Sequence, residues 1–210
     1  MARVKSQQSK LYIETGSGAA KNITAITQAY PPVVTSAGHG FAAGDRVTIA
    51  AVGGMVELNG NSYTVEYATT DTFALKGVNA TAYGAYTAGG TATPVAFTQV
   101  KGLTDLDLGS GKTSEIDVTD LDSTAKEFDL GLPDYGESSY EGNVDFSDAG
   151  QDAVRARFAD SAERDFKITY SDGTDATFTG RVSGYGEKTG ADNVVKISVT
   201  IRKTGVTSWT

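Results

Sequence analysis

The sequence predicts a mainly β protein: a β-sandwich or barrel with one flanking α-helix and a second, inserted small β-barrel domain. Three observations lead to this prediction. Apolar residues alternate with polar ones over several short runs, Gly-containing turn pairs separate some of these runs, and one segment of about 12 residues has helical spacing. The 210 residues include 25 Gly and 4 Pro.

The alternating runs lie at the two ends of the chain. In a strand, every second side chain points to the same face, so alternation predicts one buried and one exposed face. The alternating sets are Leu11 and Ile13; Phe166, Ile168 and Tyr170; Phe178 and Val182; and Ile197, Val199 and Ile201.

Two dipeptides predict tight turns. Asp172-Gly173 and Asn59-Gly60 are typical of type I′ hairpin turns, in which both central residues need positive φ. The second pair separates Met55–Leu58 from Tyr63–Tyr67, which we interpret as strands. Two further glycines, Gly180 and Gly184, lie inside a strand-like run and predict a bulge or the close approach of another backbone.

Residues after Asp148 predict the helix. Asp148 can act as the N-cap, and Gln151 follows at capping-box spacing, which satisfies free amides reciprocally. Val154 and Phe158 lie four residues apart on one face. Because a helix this short is marginal alone, we expect Val154 and Phe158 to dock on the sheet.

Residues 22–95 are predicted to form an inserted domain. They are poor in charge and rich in Ala, Thr and Gly, with Pro31-Pro32 near the start and Pro94 near the end. Candidate strands of the host domain lie on either side. The predicted organisation is therefore a discontinuous domain of residues 1–21 and 96–210, with residues 22–95 inserted.

Charge divides the chain unevenly. The net charge is −8, yet residues 96–148 alone hold three basic and 13 acidic residues. This balance argues against a protein whose role is to grip nucleic acid phosphates, and the acidic quarter predicts a surface with a specific role. We find no run of 18 apolar residues that could cross a membrane, and no secretory signal is visible.

Composition also limits the chemistry. With no Cys and one His, the chain offers no disulfide, thiol nucleophile or multi-His metal centre. His39 lies between glycines and is predicted to be structural. No carboxylate pair is selected by spacing for glycosidase chemistry, and no nucleophile, base and orienting group emerge together. We predict a protein that is not an enzyme and binds no cofactor.

Two ligand motifs have simpler interpretations. The run 109–114 (GSGKTS) lacks the earlier Gly of a phosphate-binding loop, since that position is Leu106, and a strand rather than a helix follows. An EF-hand loop from Asp120 would need Gly and Glu where Ala125 and Gly131 stand. We therefore predict a mobile turn and an acidic solvated surface, with a structural cation elsewhere in the acidic quarter left open.

An ordered set of motifs resembles a known family. Removing residues 22–95 places Lys10–Glu14 (KLYIE) next to Phe97–Leu103 (FTQVKGL). The set that follows in order is Glu115–Glu127 (EIDVTDLDSTAKE), Gly131–Gly136 (GLPDYG), Gly142–Asp145 (GNVD), Ala149–Arg155 (AGQDAVR), Phe166–Gly173 (FKITYSDG), Phe178–Gly184 (FTGRVSG) and Lys196–Gly205 (KISVTIRKTG). Together these resemble the tail tube (major tail) proteins of long-tailed, lambda-like bacteriophages, over about two-thirds of the chain.

The inserted segment has a resemblance of its own. Five short motifs look like the small β-barrel half-domain of ubiquitin-activating enzymes that recurs in phage structural proteins: Pro32–Thr35, Gly38–Phe41, Gly44–Val47, Leu58–Gly60 and Thr72–Leu75. Because the chain has no Cys, no thioester chemistry comes with this resemblance. It implies only a fold.

The tail tube resemblance implies a β-sandwich that closes, in six copies, into a ring; rings stack into a tube through which the DNA genome leaves the capsid. Stacking would use Met1–Lys10, Lys112–Tyr140 and Lys203–Thr210. The implied partners are other copies of the chain, the tape measure protein, and tail terminator and baseplate proteins. The implied location is the virion tail, assembled in the bacterial host cytoplasm, without a membrane.

A lumen that conducts DNA should not bind it, and a basic wall would bind the DNA phosphates non-specifically. We therefore expect the inner wall to be acidic or neutral and the inserted domain to lie outside the tube. The predicted lumen-facing acidic residues are Asp105, Asp107, Asp117, Asp120, Asp122, Glu137, Glu141 and Asp145.

An alternative remains open at this stage: a secreted or surface carbohydrate-binding or adhesin β-module. Such a module would share the Gly-, Thr- and Tyr-rich β composition. It usually carries a signal peptide and a clustered aromatic platform, whereas the 10 Tyr residues here are scattered.

Overall fold

The computed structural model describes residues 7–191 and 193–210, and these form two compact units. The first unit contains residues 7–13, Gln99–Ser171 and Thr177–Thr207. The second contains Glu14–Thr98, Asp172–Ala176 and Ser208–Thr210. The second unit therefore includes the segment 22–95 together with short pieces from both sides of it and from later in the chain.

The chain is mainly β, which confirms the predicted fold class. Among the described residues there is one α-helix, α1 (Ala149–Asp160), and one 3-10 helix (Val56–Leu58). The strands, in chain order, are β1 (Lys10–Ser17), β2 (Lys21–Asn22), β3 (Ala25–Ile26), β4 (Val33–Thr35), β5 (Arg46–Ala50), β6 (Asn61–Ala68), β7 (Thr72–Leu75), β8 (Thr91–Val100), β9 (Leu103–Asp107), β10 (Lys112–Asp117), β11 (Phe128–Asp134), β12 (Glu137–Asn143), β13 (Arg164–Thr169), β14 (Asp175–Lys188), β15 (Lys196–Lys203) and β16 (Ser208–Trp209).

The first unit is built on a sheet with the strand order β1-β13-β14-β15-β12-β9. The pairs β1–β13, β14–β15, β15–β12 and β12–β9 are antiparallel. Strands β10 and β11 pair only with each other and form a separate two-stranded sheet. This hairpin lies between β9 and β12 in the chain, so it extends from the edge of the main sheet.

The core of the first unit follows the predicted alternation. Ile197, Val199 and Ile201 are each 1% exposed, while their neighbours on β15 face outward. Phe166 and Phe178 are fully buried and their rings stack with centroids 5.6 Å apart. Burial of such side chains contributes about 1.5–3 kcal/mol each, so this single layer of alternating residues fixes which face of the sheet is inside.

Helix α1 begins as predicted, but the capping box does not close. The Asp148 side chain accepts a hydrogen bond from the Gln151 amide at 2.9 Å. The Gln151 side chain does not return it: its oxygen accepts from Asp145 N at 3.0 Å, and its nitrogen donates to Lys101 O and Asn143 O at 2.9 Å each. Gln151 is buried and therefore ties the helix to two strand ends instead of capping it.

The two predicted docking residues of α1 differ in burial. Val154 is fully buried, whereas Phe158 is 43% exposed. The Phe158 ring lies against Tyr185, with ring centroids 5.9 Å apart. The apolar stripe of α1 is thus narrow, with one buried residue and one at its margin.

The second unit contains strands in the order β3-β4-β7-β6-β5-β8. His39 is 2% exposed and packs against Phe41 and Phe73, and its Nδ1 accepts a hydrogen bond from Phe41 N. This is the structural role predicted for the only His. The buried core residues of this unit are Ile23, Ile26, Val34, Phe41, Val47, Ile49, Val52, Met55, Leu58, Val65, Phe73, Leu75, Val78, Ala80 and Ala92.

Three local predictions were wrong and one is confirmed. Asn59 has a φ of −67°, so the turn at Asn59-Gly60 is not type I′. Gly173 has a φ of +90°, but Asp172 does not have positive φ, so the turn between β13 and β14 is not type I′. Met55–Leu58 is not a strand, because Val56–Leu58 forms the 3-10 helix. The predicted bulge is present on β14, where the register with β15 shifts between Val182 and Gly184.

Candidate assembly surfaces

One face of the first unit's sheet is open to solvent. On β12, Glu137, Ser139 and Glu141 are exposed, while the intervening Ser138 and Tyr140 are buried. The alternation follows from the pleat, which sends successive side chains to opposite sides. We call this exposed side of β9, β12, β15 and β14 the open face.

Four of the predicted acidic residues meet on the open face. The register places Asp105 opposite Glu141 and Asp107 opposite Ser139, and Glu137 lies at the start of the same strand as Glu141. All four carboxylates are exposed. The edge formed by β9 and β12 is therefore acidic.

Basic residues lie farther across the open face, so it is not uniformly acidic. Arg202 on β15 is opposite Glu137, and its Nη1 lies 3.7 Å from Glu137 Oε1. The next strand, β14, pairs with β15 and places Arg181 opposite Arg202 and Lys188 opposite Lys196. Charge on this face is thus separated, with acid on β9 and β12 and base on β14 and β15.

The other four predicted residues lie elsewhere. Asp117 ends β10, Asp120 and Asp122 lie in the turn between β10 and β11, and Asp145 lies in the turn before α1. Strand patterns assign a residue to a face but do not give the direction in which a hairpin leaves a sheet. The acidic quarter of the sequence therefore does not form one continuous acidic surface.

Several of these carboxylates also shape the local backbone. Hydrogen bonds from Thr119 hold the pKa of Asp117 below its usual range, and hydrogen bonds from Ser147 do the same for Asp145. Asp120 Oδ1 accepts from Asp122 N at 3.0 Å. Asp and Asn often close turns in this way, so part of the acidic composition serves the turns themselves.

The hairpin formed by β10 and β11 carries a second surface, which composition did not predict. Phe128, Leu130 and Leu132 on β11 are 53%, 71% and 87% exposed. Phe128 and Leu130 are opposite Asp117 and Glu115 and share one face, whereas the register shifts between Leu130 and Pro133, so Leu132 lies past this irregularity. Ile116 on β10 is 52% exposed and is opposite Asp129, so it lies on the other face of the hairpin from Phe128 and Leu130. Exposed apolar clusters of this kind mark sites of protein association. The alternation Phe-Asp-Leu-Gly-Leu was visible in the sequence, but it is typical of a half-buried strand.

Glycines define the bend between this hairpin and the sheet. Gly109 and Gly136 both have positive φ, at +67° and +76°. A Cβ at Gly109 would collide with the carbonyl oxygen of Glu137, and one at Gly136 with that of Ser110. The β9–β10 connection and the β11–β12 connection therefore approach each other so closely that only glycine fits at Gly109 and Gly136.

The segments expected to act as terminal arms are only partly described. Residues 1–6 lie outside the described residues, and Lys10 begins β1. At the other end, β16 pairs with β14, and Thr210 exchanges two backbone hydrogen bonds with Asp175 at 3.0 Å each. The last residues are thus part of the second unit rather than free.

Across the described ranges, no group of three or more His, Asp or Glu residues is arranged to hold a metal ion. Asp117 and Asp120 accept hydrogen bonds within their own turn, from Thr119 N and Asp122 N. The same residues contain no helix whose length and apolar character would let it cross a membrane.

Comparison with known protein families gives a decisive match. The family described as "Lambda phage tail tube protein, TTP" matches residues 59–210, which is well over half of the chain. The chain belongs to the lambda phage tail tube protein family. It is therefore a structural protein of the virion tail, and the family is not one of enzymes. The match begins at residue 59, inside the segment predicted to be inserted.

Solved structures similar to this tail tube protein come from gene transfer agent (GTA) particles. One, titled "Virion of native gene transfer agent (GTA) particle", is 18% identical, covers 54% of this chain and 88% of its own, and has a TM-score of 0.47. Another, titled "Tail of empty GTA particle computed with helical refinement, C6 symmetry", is 19% identical, with coverage of 54% and 86% and a TM-score of 0.46. No curated protein matches the chain.

Proposed function

We propose that six copies of this tail tube protein close into a ring and that rings stack into the tube that conducts the phage genome into the host. Membership of the tail tube family carries this proposal. The number six is what the family resemblance implies. DNA passes through the lumen without specific binding.

The open edge of the first unit supports ring closure. β9 is the last strand of its sheet, so its outer backbone groups have no ladder partner within that sheet. Exposed strand edges pair readily with another chain, and a head-to-tail contact that closes on itself removes every edge. A ring of identical copies therefore uses an edge that would otherwise favour aggregation.

The open face supports the lumen assignment. We assign Asp105, Asp107, Glu137 and Glu141 to the inner wall, because they share one exposed face. Two of the cations on this face have acidic neighbours: Arg202 lies 2.8 Å from Asp134 Oδ2, and Arg181 lies 3.4 Å from Glu163. Since DNA carries a negative charge about every 1.7 Å of its axis, the carboxylates of β9 and β12 repel it, while cations that have an acidic neighbour hold it weakly.

The exposed apolar residues of the hairpin support stacking. Phe128, Leu130 and Leu132 would be covered when the hairpin of one ring meets the next ring, which buries apolar surface that is solvated in the monomer. In this arrangement Asp117, Asp120 and Asp122 lie near the contact between rings instead of in the lumen. The tape measure protein, the tail terminator and the baseplate would meet the tube inside and at its ends, during assembly in the host cytoplasm.

Residues 22–95 are proposed to be a domain on the outside of the tube, with the small β-barrel fold of the half-domain that they resemble. Six such segments do not fit inside a channel that passes duplex DNA. Insertions are tolerated where the chain faces solvent. The proposal gives this domain no enzymatic role, because the chain has no Cys for thioester chemistry.

The experiment is size-exclusion chromatography of the purified chain followed by negative-stain electron microscopy. We expect rings or tubes. A chain that stays a monodisperse monomer under every condition would contradict the proposal. Replacing Leu130 and Leu132 with Asp should stop stacking and leave rings or monomers. The control is Val56→Asp, at a residue that is 59% exposed in the segment proposed to lie outside the tube, and it should leave tubes intact.

A further inference from the structure

Two consecutive residues at the end of β15 hold the base of the hairpin from opposite sides of the sheet. Arg202 is on the open face, and its Nη2 donates to both carboxylate oxygens of Asp134 at 2.8 Å. Lys203 is on the buried face, and its Nζ donates to Leu108 O at 2.9 Å and to Gly109 O at 3.3 Å. Asp134 ends β11, and residues 108–109 lead into β10, so each strand of the hairpin is held by one cation.

The base would be loose without these contacts. The ladder between β9 and β12 ends at Asp107 and Ser139, and the ladder between β10 and β11 starts at Lys112 and Asp134. Between the two ladders, the bend contains glycines with positive φ on both strands, at Gly109 and Gly136. Glycine restricts the backbone less than any other residue, so a bend that depends on it has little stiffness of its own.

The environment of Lys203 is unusual for a lysine. The residue is only 6% exposed, and its Nζ lies 5.8 Å from the centre of the Phe178 ring. Burial lowers the pKa of Lys203. A buried ammonium group is costly unless its donors are used, and here two hairpin-base carbonyls accept from it. An apolar side chain could fill this position without the desolvation cost of a buried ammonium group. The hydrogen bonds to the hairpin base therefore explain why residue 203 is Lys, and packing does not.

On the open face, the Asp134 carboxylate connects the bend after β11 to strand β15. It accepts from Gly136 N at 2.8 Å as well as from Arg202, and these contacts hold the pKa of Asp134 below its usual range. Lys203 N also donates to Gly136 O at 3.0 Å. Contacts from β15 therefore reach both sides of the bend within two residues.

We infer that Arg202 and Lys203 are positioning residues: they fix the angle of the hairpin to the sheet and so set the geometry from which one ring stacks on the next. The inference rests on the proposed function for its consequence in assembly. The orientation of the hairpin in the single subunit can be measured without any assembly.

The test uses the absence of Cys, since labels can be placed by Thr124→Cys at the hairpin turn and Ser198→Cys on the open face. Pulsed electron paramagnetic resonance then measures the distance between two spin labels in the full chain. The parent should give one narrow distribution. Arg202→Gln and Lys203→Met should each broaden or shift it, and the double variant more so.

Two controls separate orientation from general stability. Arg181→Gln removes a neighbouring Arg that is opposite Arg202 but contacts Glu163, and it should leave the distribution narrow. Arg202→Lys keeps a cation next to Asp134 and should give a narrower distribution than Arg202→Gln and, with it, tube formation in electron micrographs. Melting temperatures of all variants show whether the sheet itself remains folded.

The outcomes separate the two proposals. If Arg202→Gln and Lys203→Met leave the distribution as narrow as in the parent, the positioning role is overturned whether or not tubes form. If the distribution responds as expected but the parent chain never forms tubes, the proposed function fails, while the hold on the hairpin stands.

Discussion

Asp105 and Glu141 lie directly opposite each other in the antiparallel pair of β9 and β12, and both side chains are exposed. Like charges in directly opposed positions destabilise a sheet by about 0.2–1 kcal/mol. The pair therefore acts against the stability of the isolated subunit. A role that needs negative charge on this face explains its presence better than folding does.

The first prediction follows from that pair. Glu141→Gln should raise the free energy of unfolding by about 0.2–1 kcal/mol, because it removes the repulsion and keeps the shape of the side chain. Thermal unfolding at low salt measures this directly, and the gain should shrink at high salt as charges are screened.

The matched control for this prediction is Glu137→Gln on the same strand. Glu137 is opposite Arg202 instead of an acid. We expect no gain or a small loss of stability there, since exposed ion pairs contribute about 0–1 kcal/mol. Equal gains at both positions would show that overall negative charge, and not the opposed pair, is the cause.

A second prediction concerns the bend at the base of the hairpin. Gly109→Ala should destabilise the first unit by more than about 2 kcal/mol, since its Cβ would meet the Glu137 carbonyl and its φ is positive. Gly173→Ala also has positive φ but open space around the Cβ, so it should cost only about 1 kcal/mol. Chemical denaturation of both variants checks the difference, and equal losses would contradict the close approach at Gly109.

A third prediction concerns a buried hydroxyl group. Tyr140 is 2% exposed, and its hydroxyl has no hydrogen-bond partner among the described residues. Tyr140→Phe should therefore leave stability unchanged or raise it by about 1 kcal/mol, because an unpaired polar group is no longer buried. Tyr86→Phe is the control: that hydroxyl lies 3.1 Å from Ile23 O and 3.0 Å from Gly89 O and shares its one hydrogen between them, and its loss should cost about 1 kcal/mol.

Tyr140 also predicts a pH dependence. Burial raises the pKa of Tyr140 above its usual range, so the folded chain keeps this proton where the unfolded chain loses it. The unfolded state then binds fewer protons, and stability falls as pH rises above about 10. The free energy of unfolding should be measured between pH 9 and pH 11, about one unit on either side of the ordinary tyrosine pKa of about 10 in the unfolded chain. It should fall less for Tyr140→Phe than for the parent. An identical decline would mean that Tyr140 is not the group responsible.

A fourth prediction concerns residues 22–95. Deleting them and joining the flanking segments should leave tube formation intact if this segment lies outside the tube and makes no ring contact. Electron microscopy of the shortened chain, compared with the full chain at equal concentration, provides the measurement. Loss of tubes, with the remaining chain still folded by circular dichroism, would make the segment part of the contact between subunits.

The fold could be predicted from the sequence where one face is buried. Ile197, Val199 and Ile201 alternate because their side of β15 is inside, and Asp148 was recognisable as an N-cap from its position before the helical run. The partner of Gln151 could not be predicted, because Asp145, Lys101 and Asn143 meet only after the strands have paired.

The candidate surfaces were predictable only in part. Composition located the acid in residues 96–148, but the pairing of β9 with β12 decides that Asp105 and Glu141 share a face and that Asp120 does not. The alternation of apolar residues in β11 is the pattern of a half-buried strand, so the sequence did not indicate that Phe128, Leu130 and Leu132 are exposed. Alternation in the sequence shows which residues of one strand share a face. The acidic edge and the exposed residues of the β10–β11 hairpin also depend on strand pairing and on the direction of the hairpin, which alternation does not give.

The most direct test of the tube account is electron cryomicroscopy of assembled full-length chain at side-chain resolution. The account predicts six copies in each ring, with Asp105, Asp107, Glu137 and Glu141 on the inner wall and residues 22–95 on the outside. Rings whose inner wall is instead formed by another surface, or a chain that remains monomeric under every assembly condition, would contradict it.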